Sequence, residues 1–327
     1  MPDIVFVAPL ASAVVATLVM VWMLRSGERL PLDIPNQRSL HTRPIPRSGG
    51  IAMMAGIFTG LAMLQSPIAL VLCAGLLVAV SHLDDLYRLP VSVRLAVQLA
   101  ASFAFAYSAL AATSLPLLLL VIVSVLWATN LYNFMDGSDG LAAGMTLLGF
   151  TFLGAGAWMS GDQVLSVECA IVAAAAAAFL PFNFPPARIF MGDAGSVPIG
   201  FFAAALSLAG WRDANWPFWF PVLVFAPFIA DATLTLVKRM VAGERVWEAH
   251  NKHYYQRLVR LGWSHRRVAL AEYALMVACG ATALWALGQT PGLQFAAVSA
   301  LVTLHATLAF WVDSAWRRSN GNYIGPV

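Results

Sequence analysis

The sequence predicts an all-α integral membrane protein, a polytopic bundle of about eleven transmembrane helices, and three observations predict it. The chain of 327 residues is 60 % hydrophobic and 11 % charged, with a mean hydropathy of +0.76, whereas a soluble domain carries about 25 % charge. Apolar runs of about 16 to 23 residues follow one another from Ile4 to Trp311, each close to the ~20 that span a bilayer as helix and too long for barrel strands of ~10. All but one of the 19 Lys and Arg fall in connections on the same side of those runs, the exception being Arg212. Topogenic basic loops have that distribution.

Taken in order, the spans are expected near residues 4 to 24, 49 to 64, 67 to 83, 92 to 112, 115 to 131, 141 to 159, 164 to 182, 196 to 211, 216 to 237, 268 to 287 and 292 to 312, all within one transmembrane domain over 1 to 327. The first has no basic stretch before it and no small-residue cleavage site, so it reads as a retained helix. Gln65-Ser66-Pro67 divides the second from the third, because Pro both breaks and starts helices. The Ala173 to Ala178 run reads as close helix packing. Cys73, Cys169 and Cys279 lie within spans and read as inert core thiols, implying neither disulfide nor metal. The basic loops place the N-terminus outside and the C-terminus in the cytoplasm. Their one-sided charge suits anionic lipid or anionic substrates, and no nucleic-acid partner is expected.

The polar motifs lie at the ends of these spans. Asn130, Asn133, Asp136 and Asp139 recur every three residues, so a helical continuation would carry them down one face. Gly137 and Gly140 then break the turn. Crowded oxygen ligands beside glycine backbone are what a hard cation and a phosphate need; the alternative is a polar loop in which Asp139 caps the next helix. Asp84 and Asp85 sit at the C-terminal end of a helix, where the dipole disfavours negative charge, so a compensating cation or Arg88 is expected beside them. One of the pair is a candidate base, unless the turn is merely solvated.

The first basic loop offers Arg38, His41 and Arg47 among prolines, either as a shaped anion site or as a topogenic loop. Asn183, Arg188 and Asp193 flank a Pro- and Gly-rich connection in which Gly192 and Gly195 free the backbone and Ser196 can cap the next span. His250, His253 and Arg257 would share one helical face, suited to metal or phosphate or simply to a juxtamembrane basic surface. Asp231, about two turns inside the ninth span, faces either a polar cavity or a structural partner on a neighbouring helix. Glu272 and His305 read as packing or interface residues.

These motifs, in this order, resemble the polyprenyl-phosphate N-acetylhexosamine-1-phosphate transferases, the superfamily of MraY and WecA. The resemblance rests on Asp84-Asp85, on the Asn130 to Leu141 run that resembles NxxNxxDGxDGL, on the Asn183 to Ser196 run that resembles NxxPARxFMGDxGS, and on the His250 loop. It covers nearly the whole chain. It implies a cytoplasmic-facing cleft in a bacterial inner membrane, and a Mg-dependent transfer of a sugar 1-phosphate from a UDP-N-acetyl sugar to undecaprenyl phosphate with release of UMP. Mn2+ is the alternative cation, and a homodimer is left open.

The resemblance further implies that Asp193 with Asp136 and Asp139 forms the metal and donor-diphosphate site, and that Asp84, with Asp85 beside it, handles the acceptor's proton. Asn130, Asn133, Asn183, Arg188, His250, His253, Arg257, Arg38, His41, Arg47 and Asp231 become substrate-binding candidates. The loop His250-Asn-Lys-His253 lacks three contiguous histidines, which points to the branch that initiates O-antigen and exopolysaccharide chains with GlcNAc or a 6-deoxy N-acetylhexosamine. The alternatives are the phospho-MurNAc-pentapeptide branch, a polyprenyl-lipid transporter and a non-catalytic polyprenyl-phosphate binder. A transporter would favour midplane polar groups in repeated broken helices, and the sequence shows no such repeat.

Overall fold

A computed structural model of the chain describes residues 2–26, 30–35, 40, 43–110, 113–245 and 250–321, without the side chains of 2–4, 320 and 321. Thirteen helices are seen among the described residues: α1 (Pro2–Arg25), α2 (Gly49–Leu64), α3 (Ile68–Tyr87), α4 (Val91–Leu110), α5 (Leu115–Met135), α6 (Leu141–Ser160), α7 (Gln163–Asn183), α8 (Asp193–Arg212), α9 (Trp219–Val224), α10 (Ala226–Val241), α11 (Tyr254–Arg260), α12 (His265–Leu287) and α13 (Pro291–Gly321). Nine are long and apolar enough to cross a bilayer, and α2 is a shorter apolar helix. The protein is a multi-pass, all-α membrane protein. Two short strands, β1 (Leu32–Asp33) and β2 (Ile45–Pro46), pair antiparallel and bring the described ends of the first basic loop together.

Each of the eleven apolar runs is helical, but the ninth is not one continuous span. It divides into α9 and α10 at Phe225 (φ −95°, ψ 11°). Pro227 accounts for the break: it has no N–H to give the carbonyl of Leu223, its ring would collide with that carbonyl, and its fixed φ suits the first turn of a new helix. Asp231 therefore lies in the second turn of α10 rather than two turns inside a long span.

The bundle is built around α8, whose most apolar stretch is 72 % buried, against 17 % for α13. It packs against α3 and α5, while α1, α2, α6 and α7 pack on one another beside it. Backbones touch where side chains are missing. A Cβ on Gly50 would fall 2.3 Å from the Cα of Gly195, so the start of α2 lies directly on the start of α8. The Gly49 and Gly50 amides donate to the Phe190 and Met191 carbonyls (2.9 and 2.8 Å), so the first basic loop is fastened to the strand-like segment that feeds α8.

Candidate active site

The end of α3, the start of α4, the end of α5 and the start of α8 meet at one face of the bundle. At the α3 end, Arg88 takes a left-handed conformation (φ 54°) and the chain turns at once into α4. Asp84 secures that turn: one oxygen accepts the Leu89 amide (2.7 Å), the other the Arg94 guanidinium (2.9 Å). Arg94 also reaches to 3.7 Å from the Asp193 carboxylate, so a single guanidinium lies against both acids.

Asp85 points toward α8. Its carboxylate accepts the Ala194 amide (3.3 Å), at the helix N-terminus where negative charge is favoured. Arg47 donates to its backbone carbonyl (2.7 Å) and approaches its carboxylate (3.4 Å). The close approach depends on Gly192. Its φ is +72°, and a Cβ there would fall 2.3 Å from the Arg47 carbonyl oxygen, so no side chain fits. The compensating cations of the Asp84-Asp85 pair are thus Arg94 and Arg47, not Arg88.

Asn130 and Asn133 sit in the last turns of α5. Asn130 donates to Gln98 of α4 (2.8 Å); Asn133 hydrogen-bonds Asp193 and accepts from Ser196 (3.3 Å). The helix ends at Met135, so Asp136 and Asp139 do not continue its face. Asp136 turns inward to the Gly192 amide, among Asp193, Asp85 and Asp33. Burial first, then the neighbouring carboxylates, holds its carboxyl well above the usual carboxylate range.

Asp139 goes elsewhere. It accepts the Ala187 amide (3.0 Å) and lies 3.8 Å from His265, bracing two loops against each other. Of the three carboxylates implied as a metal set, the structure therefore groups Asp136 and Asp193 and separates Asp139 from them. Among the described residues no three His, Cys, Asp or Glu converge as a metal site. The fit is instead to Mg2+ or Mn2+, which is commonly held by one or two carboxylates and completed by water and substrate phosphate. Among the described residues the ion pairs of this acid cluster, Asp84, Asp85, Asp136 and Asp193, are made with Arg47 and Arg94, an imbalance that a bound cation would relieve. Each of those guanidiniums also keeps a buried Nε with no acceptor among the described residues, as an anion site would.

Two cavities share this centre. One, of about 410 Å³, is lined by apolar residues of α3, α4 and α8, including Leu77, Val91, Leu95 and Val197, and by Asp84, Arg94, Asn130, Asn133, Asp193, His250 and His253. The other, of about 540 Å³, is lined chiefly by Asp33, Arg47, Asp84, Arg88, Arg94 and Asp193. Asp84, Arg94 and Asp193 belong to both.

The histidines reach the first cavity, but not as one helical face. The helix α11 starts only at Tyr254, so His253 is its N-cap and His250 lies in the loop before it; their rings are 4.7 Å apart. Burial, then the charge of neighbouring His253, Arg239 and Lys252, pushes His250 down to about 4. Arg257, expected beside them, points away: it pairs with Asp313 of α13 (2.8 Å) and stacks over Tyr254 and Trp316.

Three further expectations change in the same way. Asn183 is spent on the Gly140 amide (3.0 Å) and the Ile189 carbonyl (2.9 Å), stapling two loops together. Arg188 is exposed and lies over the Phe182 ring, 4.8 Å from its centre. Asp231 is absent from the residues lining the first cavity and instead grips the start of α11. Arg38 and His41 lie outside the described residues. Sequence reasoning missed Arg94 as a site residue, counting it only toward topology, and missed Gln98; the signal was a charge and an amide one turn apart at the beginning of an apolar run.

The profile of glycosyl transferase family 4 matches residues 67–211, from just before α3 to the last turn of α8. A probable undecaprenyl-phosphate N-acetylglucosaminyl 1-phosphate transferase of Bacillus subtilis (strain 168) is 31 % identical over 267 residues, 75 % of this chain and 74 % of its own. A decaprenyl-phosphate N-acetylglucosaminephosphotransferase of Mycobacterium tuberculosis (strain ATCC 25618 / H37Rv) is 32 % identical over 292 residues, 73 % of this chain and 71 % of its own. A phospho-N-acetylmuramoyl-pentapeptide-transferase of Staphylococcus aureus (strain Newman) is 31 % identical over 168 residues, 50 % of this chain and 51 % of its own.

Proposed function

Because the chain belongs to the polyprenyl-phosphate N-acetylhexosamine-1-phosphate transferase superfamily, we propose that it moves a sugar 1-phosphate from a UDP-sugar to undecaprenyl phosphate, releasing UMP. N-acetylglucosamine 1-phosphate is the first candidate for the group moved, since that sugar appears in the names of the two relatives matched over most of their length. A 6-deoxy N-acetylhexosamine is the second. The product would begin a cell-surface polysaccharide such as an O-antigen, at the inner membrane of a bacterium with the basic loops in the cytoplasm.

The observation that carries this reading is the meeting of an apolar-walled cavity with a charged one at Asp84, Arg94 and Asp193. Phosphoryl transfer demands that nucleophile and leaving group lie in line across the phosphorus, with the developing charge neutralised. A polyprenyl phosphate laid along Leu77, Val91 and Leu95 would bring its head to Asp84. A nucleotide diphosphate in the charged cavity would meet Arg47 and Arg94, whose buried Nε groups lack acceptors among the described residues. A divalent cation held by Asp136 and Asp193 would neutralise the diphosphate and help the UMP oxygen to leave.

Asp84 takes the remaining proton of the acceptor phosphate, which is mostly ionised near neutral pH and needs only a weak base. Attack is then direct. An aspartate nucleophile would have to approach an anionic diphosphate, at a cost in repulsion unless a divalent cation shields it, and would add a covalent step that an ionised lipid phosphate does not need. Neutral His250 and the neighbouring His253 line the first cavity, beside Asp84, Arg94 and Asp193 where it meets the charged one, and would offer hydrogen bonds to the substrate groups brought there. The test is UMP release from a panel of UDP-sugars with undecaprenyl phosphate and Mg2+. Strict dependence on the lipid acceptor is expected. No UMP with any donor would refute the activity, and stoichiometric UMP with a trapped phosphoryl-protein in the absence of acceptor would refute direct attack.

A further inference from the structure

Asp231 makes more hydrogen bonds than any other carboxylate of the bundle among those described, and none of its partners is a substrate. From the second turn of α10, its Oδ1 accepts the Tyr254 amide (3.0 Å), the His253 ring Nδ1 (3.1 Å) and the Thr235 hydroxyl (3.2 Å), and its Oδ2 accepts the Tyr255 amide (3.0 Å). The first amides of a helix have no partner inside it. Here a buried carboxylate from another helix supplies the acceptor that a capping side chain usually gives. With Nδ1 facing a carboxylate, that nitrogen carries the proton, and Nε2 is the one left to the cavity that His253 lines.

The ring has no freedom to turn. It is stacked on Phe134 (6.3 Å) and Tyr255 (5.8 Å) and tilted against His250 (4.7 Å), and its side chain is 4 % exposed. His250 complements it. Its Nδ1 accepts the Lys252 amide (3.2 Å), so its neutral ring carries the proton on Nε2. The two adjacent rings are therefore fixed in opposite tautomers, one offering a donor and the other an acceptor.

We infer that Asp231 is a positioning residue for His253, holding the ring and its Nδ1 proton so that the Nε2 lone pair faces the first cavity as a fixed acceptor for a hydroxyl or amide N–H of the transferred sugar. The role rests on the transferase reading given above. It also explains why a helix of the bundle keeps a buried acid that is absent from the residues lining the first cavity. The break at Phe225 contributes: α10 starts afresh there and can take its own direction toward α11.

The decisive experiment is a double-mutant cycle in the full-length protein, with Asp231→Asn, His253→Ala and the pair, reading kcat and KM for the donor. Each single variant is expected to lose about a hundredfold, and the pair no more than His253→Ala alone. Asp231→Glu should recover part of the loss. Multiplying losses in the pair would mean that Asp231 serves only the fold, and would overturn the inference.

A second measurement needs no turnover. Diethyl pyrocarbonate labelling of His253, followed by mass spectrometry, should be slow in the wild type and several-fold faster in Asp231→Asn; equal rates would overturn the positioning role even if the variant is active. Should the wild type transfer no sugar phosphate to any acceptor, the proposed function falls, while the labelling still decides whether Asp231 holds His253.

Discussion

At the scale of single residues, Arg94 has the clearest consequence. It lies against Asp84 and Asp193 at once and borders both cavities, so under the proposed function it would serve acceptor and donor together. Arg94→Ala is expected to cost about 10²–10³ in kcat, the range for losing one preorganised electrostatic group. Arg94→Lys should recover only part, since an ammonium keeps the charge but lacks the planar set of donors, including the buried Nε that has no acceptor among the described residues; steady-state kinetics on both variants checks this. Asp136 carries a second prediction, about cation and pH. Its raised pKa means that the folded chain keeps a proton the unfolded chain has released, so stability falls as pH rises from the ordinary carboxylate range through the raised value. Without divalent cation, Tm should fall as pH rises above the ordinary carboxylate range; Mg2+ should restore it, and Asp136→Asn should flatten both responses. Residue types were largely legible in advance, because acids and amides at the ends of apolar runs are costly unless used. Which of them face inward was not. Asp139, Asn183 and Arg257 carry the same chemistry as their neighbours, and only the partners Ala187, Gly140 and Asp313 take them away from the cavity.

At the scale of elements, the site depends on how closely helix ends approach. The start of α2 is pressed on the start of α8 through Gly50 and Gly195, and that contact carries Arg47 to Asp85. Gly50→Val would force side-chain carbon into a place where even a lone Cβ would fall 2.3 Å from backbone. It is expected to destabilise by at least about 1–3 kcal/mol, the usual cost of overpacking, and to lower kcat through Arg47. Thermal unfolding in detergent and the transfer assay would report the two effects separately, and an unchanged Tm would contradict the packing. Helices were readable from apolar length alone, which is why all eleven runs appear. The break at Phe225 was also written in the chain, as Pro221 and Pro227 inside one run, but hydropathy is blind to it. The start of α11 was harder still: spacings of three and then four from His250 through His253 to Arg257 suggest a helix, while the acceptor that fixes its first turn comes from Asp231, twenty-odd positions earlier.

At the scale of the whole molecule, the two faces of the bundle are chemically unlike. Asp193 and Arg212 are the ends of the same central helix, α8, about 28 Å apart at 1.5 Å per residue. Around Asp193 gather the acids, Arg47, Arg94 and the histidine loop; at the other end Arg212 is bound to Asp213 in a bidentate pair (2.7 and 2.6 Å) and its charge is largely answered. The proposed nucleotide-sugar donor would require the first face to be the cytoplasmic one, which is also the side on which the basic loops are expected. The natural cysteines make the test clean. Cys73, Cys169 and Cys279 are all free and buried, so an impermeant maleimide should leave them silent. A cysteine placed at Tyr87, on the α3 end beside the acids, should stay unlabelled in intact cells and label once the membrane is opened. One at Ala214, after Arg212, should label in intact cells. The reverse pattern would turn the bundle over and remove the site from its donor.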